Sequence, residues 1–236
     1  MSGNAAYGSA MHEAVEKVFL YFLKNQRVQH IDEVKENFQL ALTRSRLPKN
    51  EFDKFLLSGF ENLEIYIKYL KERKILPNTK VEVKFRSEDV VVDGCRLTGN
   101  IDRMEFVGSD EIIVTDLKTG ESYHDFEQSG LKDYEKIKLH FYKYQLGFYA
   151  LMMENSRSYR EYKVRVGNLE FLEANNKGEI DVLSFIIDEE IKSRLKLLIH
   201  AVWKKVNNLD FPDTSVYPET FEGILEFEED LLGGKV

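Results

Sequence analysis

Asn100-Ile101-Asp102-Arg103 and, beyond a Gly108-Ser109 turn, Thr115-Asp116-Leu117-Lys118-Thr119-Gly120 decide how this chain is read. Both stretches have the apolar, β-branched character of strand cores, and each carries an acid. Strand side chains alternate between faces, so Asp116 and Lys118 project together while Leu117 points the other way. A carboxylate drawn into a sheet needs a partner, and a metal ion is the strongest one available. Two acids and an amine at the end of a hairpin make a place for a divalent cation and a charged phosphate.

Outward from these strands the hydrophobic period sorts the chain. Upstream, Met11, Ala14, Val15, Val18, Phe19 and Phe22 predict an amphipathic helix from about Ser9 to Lys24, and a second runs from Ile31 to Arg44. Phe52, Phe55, Leu56, Phe60, Leu63, Ile67 and Leu70 mark a third, ending near Lys74. From Thr79 the period becomes two: Val81, Val83 and Phe85 alternate with Glu82, Lys84 and Arg86. Val90–Val92, Arg96–Phe106 and Glu111–Lys118 continue as strands around an Asp93-Gly94 turn, which predicts an antiparallel meander. A helix from near Leu139 to Asn155, strands over Tyr162–Leu172 and Glu179–Ile187, and a closing helix on Ile191, Leu195, Leu198, Val202 and Val206 follow. The segment from Asp210, with Pro212 and Pro218, reads as a loosely attached tail with one short helix. No repeat or low-complexity linker divides the chain. The expectation is one domain over 1–236: a helical part (1–78), a sheet core (79–187), and a closing helix with an acidic tail (188–236).

Composition permits this. A chain of 236 residues with 43% hydrophobic and 12% aromatic content can bury a full core without metals or disulfides. The one cysteine, Cys95, excludes an intramolecular disulfide, a cysteine-rich zinc site and a four-cysteine iron–sulfur cluster, and reads as a packing or surface thiol. The first residues lack a signal peptide's basic start and apolar run, and no window has the apolar length of a membrane span. A soluble, cytoplasmic protein without membrane contact is expected. The net charge of −8 argues against a protein coated in nucleic acid. Even so, Lys132, Lys136, Lys138 and Lys143, then Arg157, Arg160, Lys163 and Arg165, form a basic strip that can meet a phosphate backbone. Solvated helix faces explain the same residues as simply.

His12, Asp102 and Asp116 are the candidate metal ligands. Oxygen donors suit Mg²⁺ or Mn²⁺, and imidazole is better tolerated by Mn²⁺. Two close carboxylates repel unless a cation sits between them. A neighbouring lysine can hold an attacking water or neutralise charge on a phosphoryl oxygen. These residue types fit phosphodiester cleavage better than acyl transfer, for which no Gly-x-Ser-x-Gly elbow is present. Each also has an ordinary reading: His12 as a structural histidine beside an apolar stripe, Asp102-Arg103 as a surface ion pair, Lys118-Thr119-Gly120 as the end of a strand.

Taken together, the motifs resemble a family. Gly8-Ser9-Ala10-Met11-His12 resembles the Gly-x-x-x-His start of RecB-like nucleases of the PD-(D/E)XK superfamily. Gly99-Asn100-Ile101-Asp102-Arg103 is similar to their Gly-x-Ile-Asp-Arg strand, and Asp116-Leu117-Lys118-Thr119-Gly120 to their Asp-Tyr-Lys-Thr-Gly core, with leucine in place of tyrosine. Gln145-Leu146-Gly147-Phe148-Tyr149 resembles their Gln-Leu-x-x-Tyr helix. The resemblance implies an α/β (mixed α+β), restriction-endonuclease-like core: a central mixed sheet flanked by helices, with an N-terminal helical segment. It implies a Mg²⁺- or Mn²⁺-dependent DNase in which His12, Asp102, Asp116 and the Leu117 carbonyl ligate one or two ions. Lys118 then orients or activates water, and Gln145 and Tyr149 line the site. Glu82 follows as a more distant helper and Glu16 as a weaker one. Many relatives are the C-terminal domain of a UvrD-like helicase, which implies DNA and a helicase motor as partners and a role in DNA repair and recombination. A chain opening almost on the first motif is consistent with an excised domain. Relatives with an iron–sulfur cluster need four cysteines, so no cluster is expected here, and the C-terminal tail should be held by packing alone or by a partner. No phosphate loop encodes a motor. Two readings remain open: a nuclease cutting single-stranded or end-bearing DNA, or a catalytically silent nuclease-like module that binds DNA or a helicase. An exonuclease of CRISPR adaptation is disfavoured by the missing cysteines.

Overall fold

A Ser2 side chain facing the Ala5 N–H opens the first helix well before the apolar stripe begins, so α1 spans Gly3–Asn25 rather than starting at Ser9. In this computed structural model, which describes residues 2–73 and 75–236, α2 (Ile31–Arg44) and α3 (Lys49–Glu72) complete a helical layer. The expected end of the third helix at Lys74 lies outside the described residues. Tyr7, Met11, Val15, Phe19, Phe38, Leu63 and Tyr66 interlock within this layer, and Leu117 and Leu172 join them from the sheet.

Five strands form the sheet: β1 (Thr79–Lys84), β4 (Asn100–Val107), β5 (Glu111–Lys118), β6 (Lys163–Phe171) and β7 (Val182–Ile186), in the order β1-β4-β5-β6-β7. The pairs β1–β4, β4–β5 and β6–β7 are antiparallel, whereas β5–β6 is parallel. The antiparallel meander therefore ends at β5. The helix α4 (Asp133–Glu154) carries the chain back to the same end of the sheet, and a strand entered through such a crossover runs parallel. α4 starts earlier than Leu139 because Glu135 reaches back to the Lys132 N–H (2.8 Å), a polar cap that precedes its apolar stripe. Its Leu139, Leu146, Tyr149, Ala150 and Met153 pack with Ile112, Val114 and Leu169 on the sheet face opposite α1–α3. α5 (Glu189–Asn207) lies against α4 through Ile191 and Leu195. Helices thus cover both faces of a mixed sheet. Among the described residues no helix is long and apolar enough to cross a membrane.

Three further expectations change. The stretch from Arg96 to Phe106 is two strands, because Leu97–Gly99 leaves the sheet; β2 (Val91–Val92) and β3 (Cys95–Arg96) pair only with each other, and Cys95 is buried. Gly99 lies where that bend comes close to α4, and a Cβ there would lie 3.0 Å from Met152 Cε. Within β1 the strict alternation fails: Glu82 has φ +49°, and across it Val81 packs with the helical layer while Val83 and Phe85 pack with the opposite core. The C-terminal segment is not held by packing alone. In α6 (Phe221–Leu232), Glu228 is buried, lies 2.8 Å from His140 Nε2, and accepts from Tyr144 OH (2.6 Å) and Arg194 Nη2 (3.0 Å). A buried carboxylate needs such partners, and they pin α6 to α4 and α5.

Arg103 is also not a surface partner of Asp102. It is wholly buried beneath the helical layer, its guanidinium 4.9 Å from the Phe19 ring centroid. It donates to Glu170 Oε1 (2.8 Å) and Oε2 (2.7 Å), to Glu105 Oε2 (3.2 Å) and to Thr115 Oγ1 (3.3 Å). Arg73 joins both acids from the end of α3, and Tyr66 donates to Glu170. Burial alone would raise the Glu170 pKa, but Arg103 and Arg73 outweigh it and bring it to about 2. Removing one member strands buried charge, so Arg103→Leu should cost about 3–5 kcal/mol in urea unfolding. The depressed pKa stabilises the fold fully above its ordinary value of 4.5, and this contribution is lost as pH falls through about 2. Acid titration followed by circular dichroism should show that loss in the parent and a flatter profile over the same range in Glu170→Gln.

Candidate active site

Pairing between β4 and β5 runs from Val107/Glu111 to Arg103/Thr115 and stops there, so the strands part where the two acids lie. The Leu117 N–H beyond that point is taken by Asp102 Oδ2 at 2.7 Å, a side chain standing in for a ladder carbonyl. α1 approaches the end of β5 at Gly8, where a Cβ would sit 3.0 Å from Thr119 Oγ1. One turn further along α1, His12 Nδ1 reaches within 3.6 Å of the same Asp102 oxygen. Glycine at this spacing from histidine thus has a steric reason: it lets the helix close on the strand end.

On β5, Asp116 and Lys118 share a face, as strand alternation requires. Asp116 Oδ1 accepts from Tyr149 OH (2.6 Å) and Gln145 Nε2 (2.8 Å), both on α4. Gln145 Nε2 also donates to the Tyr149 oxygen (3.0 Å), and its Oε1 accepts from Lys118 Nζ (2.7 Å). Lys118 Nζ lies 2.7 Å from Asp116 Oδ2 as an ion pair, but outside hydrogen-bonding geometry, so this buried oxygen takes no hydrogen bond. The Lys118 ammonium offsets the charge of this acceptor electrostatically without donating a hydrogen bond to it. The Lys118 ammonium also rests 4.3 Å from the Tyr142 ring centroid, a contact with no counterpart in the expected site.

His12, Asp102 and Asp116 are not the tightest group of ligating side chains. That group is His12, Glu82 and Asp102, whose ligand atoms lie within 4.8 Å of one another, while Asp116 is held on the α4 side by Gln145 and Tyr149. Glu82, which the resemblance made a more distant helper, thus stands in the compact group, at a point where a positive φ breaks the strand alternation. Glu16, one turn after His12, lines an open groove of about 640 Å³ with Gly8, Ser9, His12 and Glu82 and lies beside Glu82 rather than in the compact group. Burial, then the Asp102 and Glu16 carboxylates, raise the Glu82 pKa to about 7. Burial and the Asp116 carboxylate likewise push Asp102 up, with His12 pulling against them. Two crowded acids that resist ionising, Glu82 and Asp102, beside the His12 imidazole and the Asp116 carboxylate, fit a divalent cation with oxygen and imidazole donors.

A family model described as the PD-(D/E)XK nuclease superfamily matches residues 2–219. No curated protein matches the chain. A solved structure titled "Crystal structure of SSO0001" is 19% identical over 82% of this chain and 73% of that one, with a TM-score of 0.34.

The raised Glu82 pKa has a sign that can be read in stability. Its charge destabilises the metal-free fold progressively as pH rises from the ordinary 4.5 through about 7. Thermal scans in chelator should therefore place Glu82→Gln above the parent at about pH 8, with the gap closing towards about pH 5. Were Glu82 to lend an oxygen to a divalent cation, saturating Mn²⁺ would reverse the order at the higher pH. Equal melting temperatures in chelator at both pH values would refute the crowding.

Proposed function

The chain belongs to the PD-(D/E)XK nuclease superfamily, and on that premise we propose that it is a Mg²⁺- or Mn²⁺-dependent deoxyribonuclease hydrolysing phosphodiester bonds. The observation that carries this reading is the pairing of a crowded His12–Glu82–Asp102 group with a buried, unbonded Asp116 oxygen beside an ammonium. His12, Glu82 and Asp102 would hold an ion, with Asp116 Oδ2 and the Leu117 carbonyl as donors on the β5 side. When bound, such an ion lowers the pKa of water and offsets negative charge on a phosphoryl oxygen.

The remaining roles belong to side chains. Gln145 and Tyr149 occupy Asp116 Oδ1 with hydrogen bonds and leave its other oxygen to the Lys118 ammonium. Lys118, held by Gln145, would orient the attacking water and stabilise charge developing in the transition state. The water oxygen gives up a proton and bonds to phosphorus as the bond from phosphorus to the leaving sugar oxygen breaks, and that leaving oxygen takes up a proton. Glu16 would extend the acidic rim of the groove and set the charge around Glu82.

The finer proposal is a RecB-like enzyme acting on single-stranded or end-bearing DNA beside a helicase motor, in repair or recombination. It is supported by the Gly8 and His12 arrangement at the end of β5 and by the order of the four motifs. Labelled linear and circular single-stranded DNA, incubated with Mg²⁺ or Mn²⁺, tests both levels. Asp116→Asn and Lys118→Ala should each lose cleavage by about 10²-fold or more while keeping parental circular dichroism. Circular DNA should resist if ends are required. Unchanged cleavage in both variants would remove the assigned site.

A further inference from the structure

Beyond the residues already assigned, α4 carries one more charged group in register with them. Lys138, Tyr142, Gln145 and Tyr149 recur at spacings of four, three and four, so they form a single row on one helix face. Gln145 and Tyr149 end the row at Asp116, and Tyr142 supports the Lys118 ammonium. Lys138 stands one turn further out. Its Nζ lies 5.2 Å from the Tyr123 ring centroid and 5.7 Å from that of Tyr142. Tyr142 is thus shared by two ammonium groups, Lys118 and Lys138.

Among the described residues Lys138 makes no ion pair and no hydrogen bond, although the side chain is half-buried. Lys136 and Lys143, its neighbours in the same basic run, are paired with Asp133 and Glu127. Burial and the nearby Lys118 charge both press the Lys138 pKa down, and Glu121 and Glu135 compensate only from a distance. A cation drawn out of water, placed beside a second cation and left without an anion is unfavourable in the free protein. An anion reaching both ammonium groups would relieve it. Lys118 is already shared by Asp116, Gln145 and the Tyr142 ring, whereas Lys138 meets only the rings of Tyr123 and Tyr142 and so is the cation left for a ligand's charge.

Building on the deoxyribonuclease reading, we propose that Lys138, seated on Tyr123 and Tyr142, binds the backbone phosphate next to the scissile one. The strand would then lie along the α4 row, its reacting phosphate at Lys118 and the adjacent phosphate at Lys138. The substrate class is a polynucleotide with at least two consecutive phosphodiesters, and Lys138 is a substrate-positioning residue.

The test is binding rather than turnover, so it does not depend on cleavage. The 236-residue chain carrying Asp116→Asn is titrated with fluorescent single-stranded DNA across a range of salt. Adding Lys138→Ala should lower affinity several-fold and reduce the slope of log K against log salt by about 0.7, one phosphate contact on a single strand. Lys138→Arg should restore the slope, and Lys138→Met controls for packing on the two tyrosines. A DNA carrying one neutral methylphosphonate beside a non-cleavable central linkage should bind the parent more weakly than all-phosphate DNA, with the penalty largely absent in Lys138→Ala. An unchanged slope, or an equal methylphosphonate penalty in both chains, would overturn the proposal. A parent that binds with the expected slope but, with Asp116 restored, never cleaves would instead overturn the nuclease reading. A parent that binds no DNA at low salt would overturn both.

Discussion

Where β4 and β5 stop pairing, one backbone N–H loses its strand partner, and the Asp102 carboxylate takes it. This hydrogen bond makes the divergence tolerable, because an unsatisfied main-chain donor at the edge of a core is costly. It also fixes the carboxylate in the gap between the strands, within reach of His12 from α1 and Glu82 from β1. The same opening leaves room for Asp116 to face α4. A local defect in the sheet and the candidate site are thus one feature.

The opening has to be backed by something stiff. Immediately beside Asp102, Arg103 points to the opposite face and locks β4, β5 and β6 together through Thr115 and Glu170. Arg73, Tyr66 and Glu105 extend that lock to α3 and across β4. A wholly buried guanidinium is unfavourable unless its donors are matched, and here two carboxylates and a hydroxyl match them. The helical layer therefore does more than cover apolar surface. It backs the strand ends at which Asp102 and Asp116 lie, both largely shielded from solvent.

Much of this was legible in the residues. The change of period at Thr79, the faces of Asp116 and Lys118, and the helical register of Gln145 with Tyr149 follow from local geometry that any strand or helix imposes. Other features were not. Nothing in Val81-Glu82-Val83 signals a positive φ, and the resemblance left Glu82 only a more distant helper. Lys138 and Tyr142 share the row of Gln145 and Tyr149, and that spacing was available, but a lysine in a basic run looks the same whether solvated or stacked on tyrosine. Arg103 beside an aspartate looked like a surface pair because its true partner, Glu170, is distant in sequence and meets it only through the β5–β6 pairing.

By itself the sequence determined the kinds of element, the mixed α/β class and the presence of acids, histidine and lysine in a recognisable order. These depend on periods of two and 3.6 residues and on side-chain chemistry, which are properties of short segments. Only the tertiary structure decided which acids crowd together, which arginine is buried, and where a buried oxygen is left without a hydrogen bond. Those outcomes depend on where strands diverge, how closely Gly8 lets a helix approach, and how one backbone torsion turns Glu82, and each is set by packing between segments far apart in the chain.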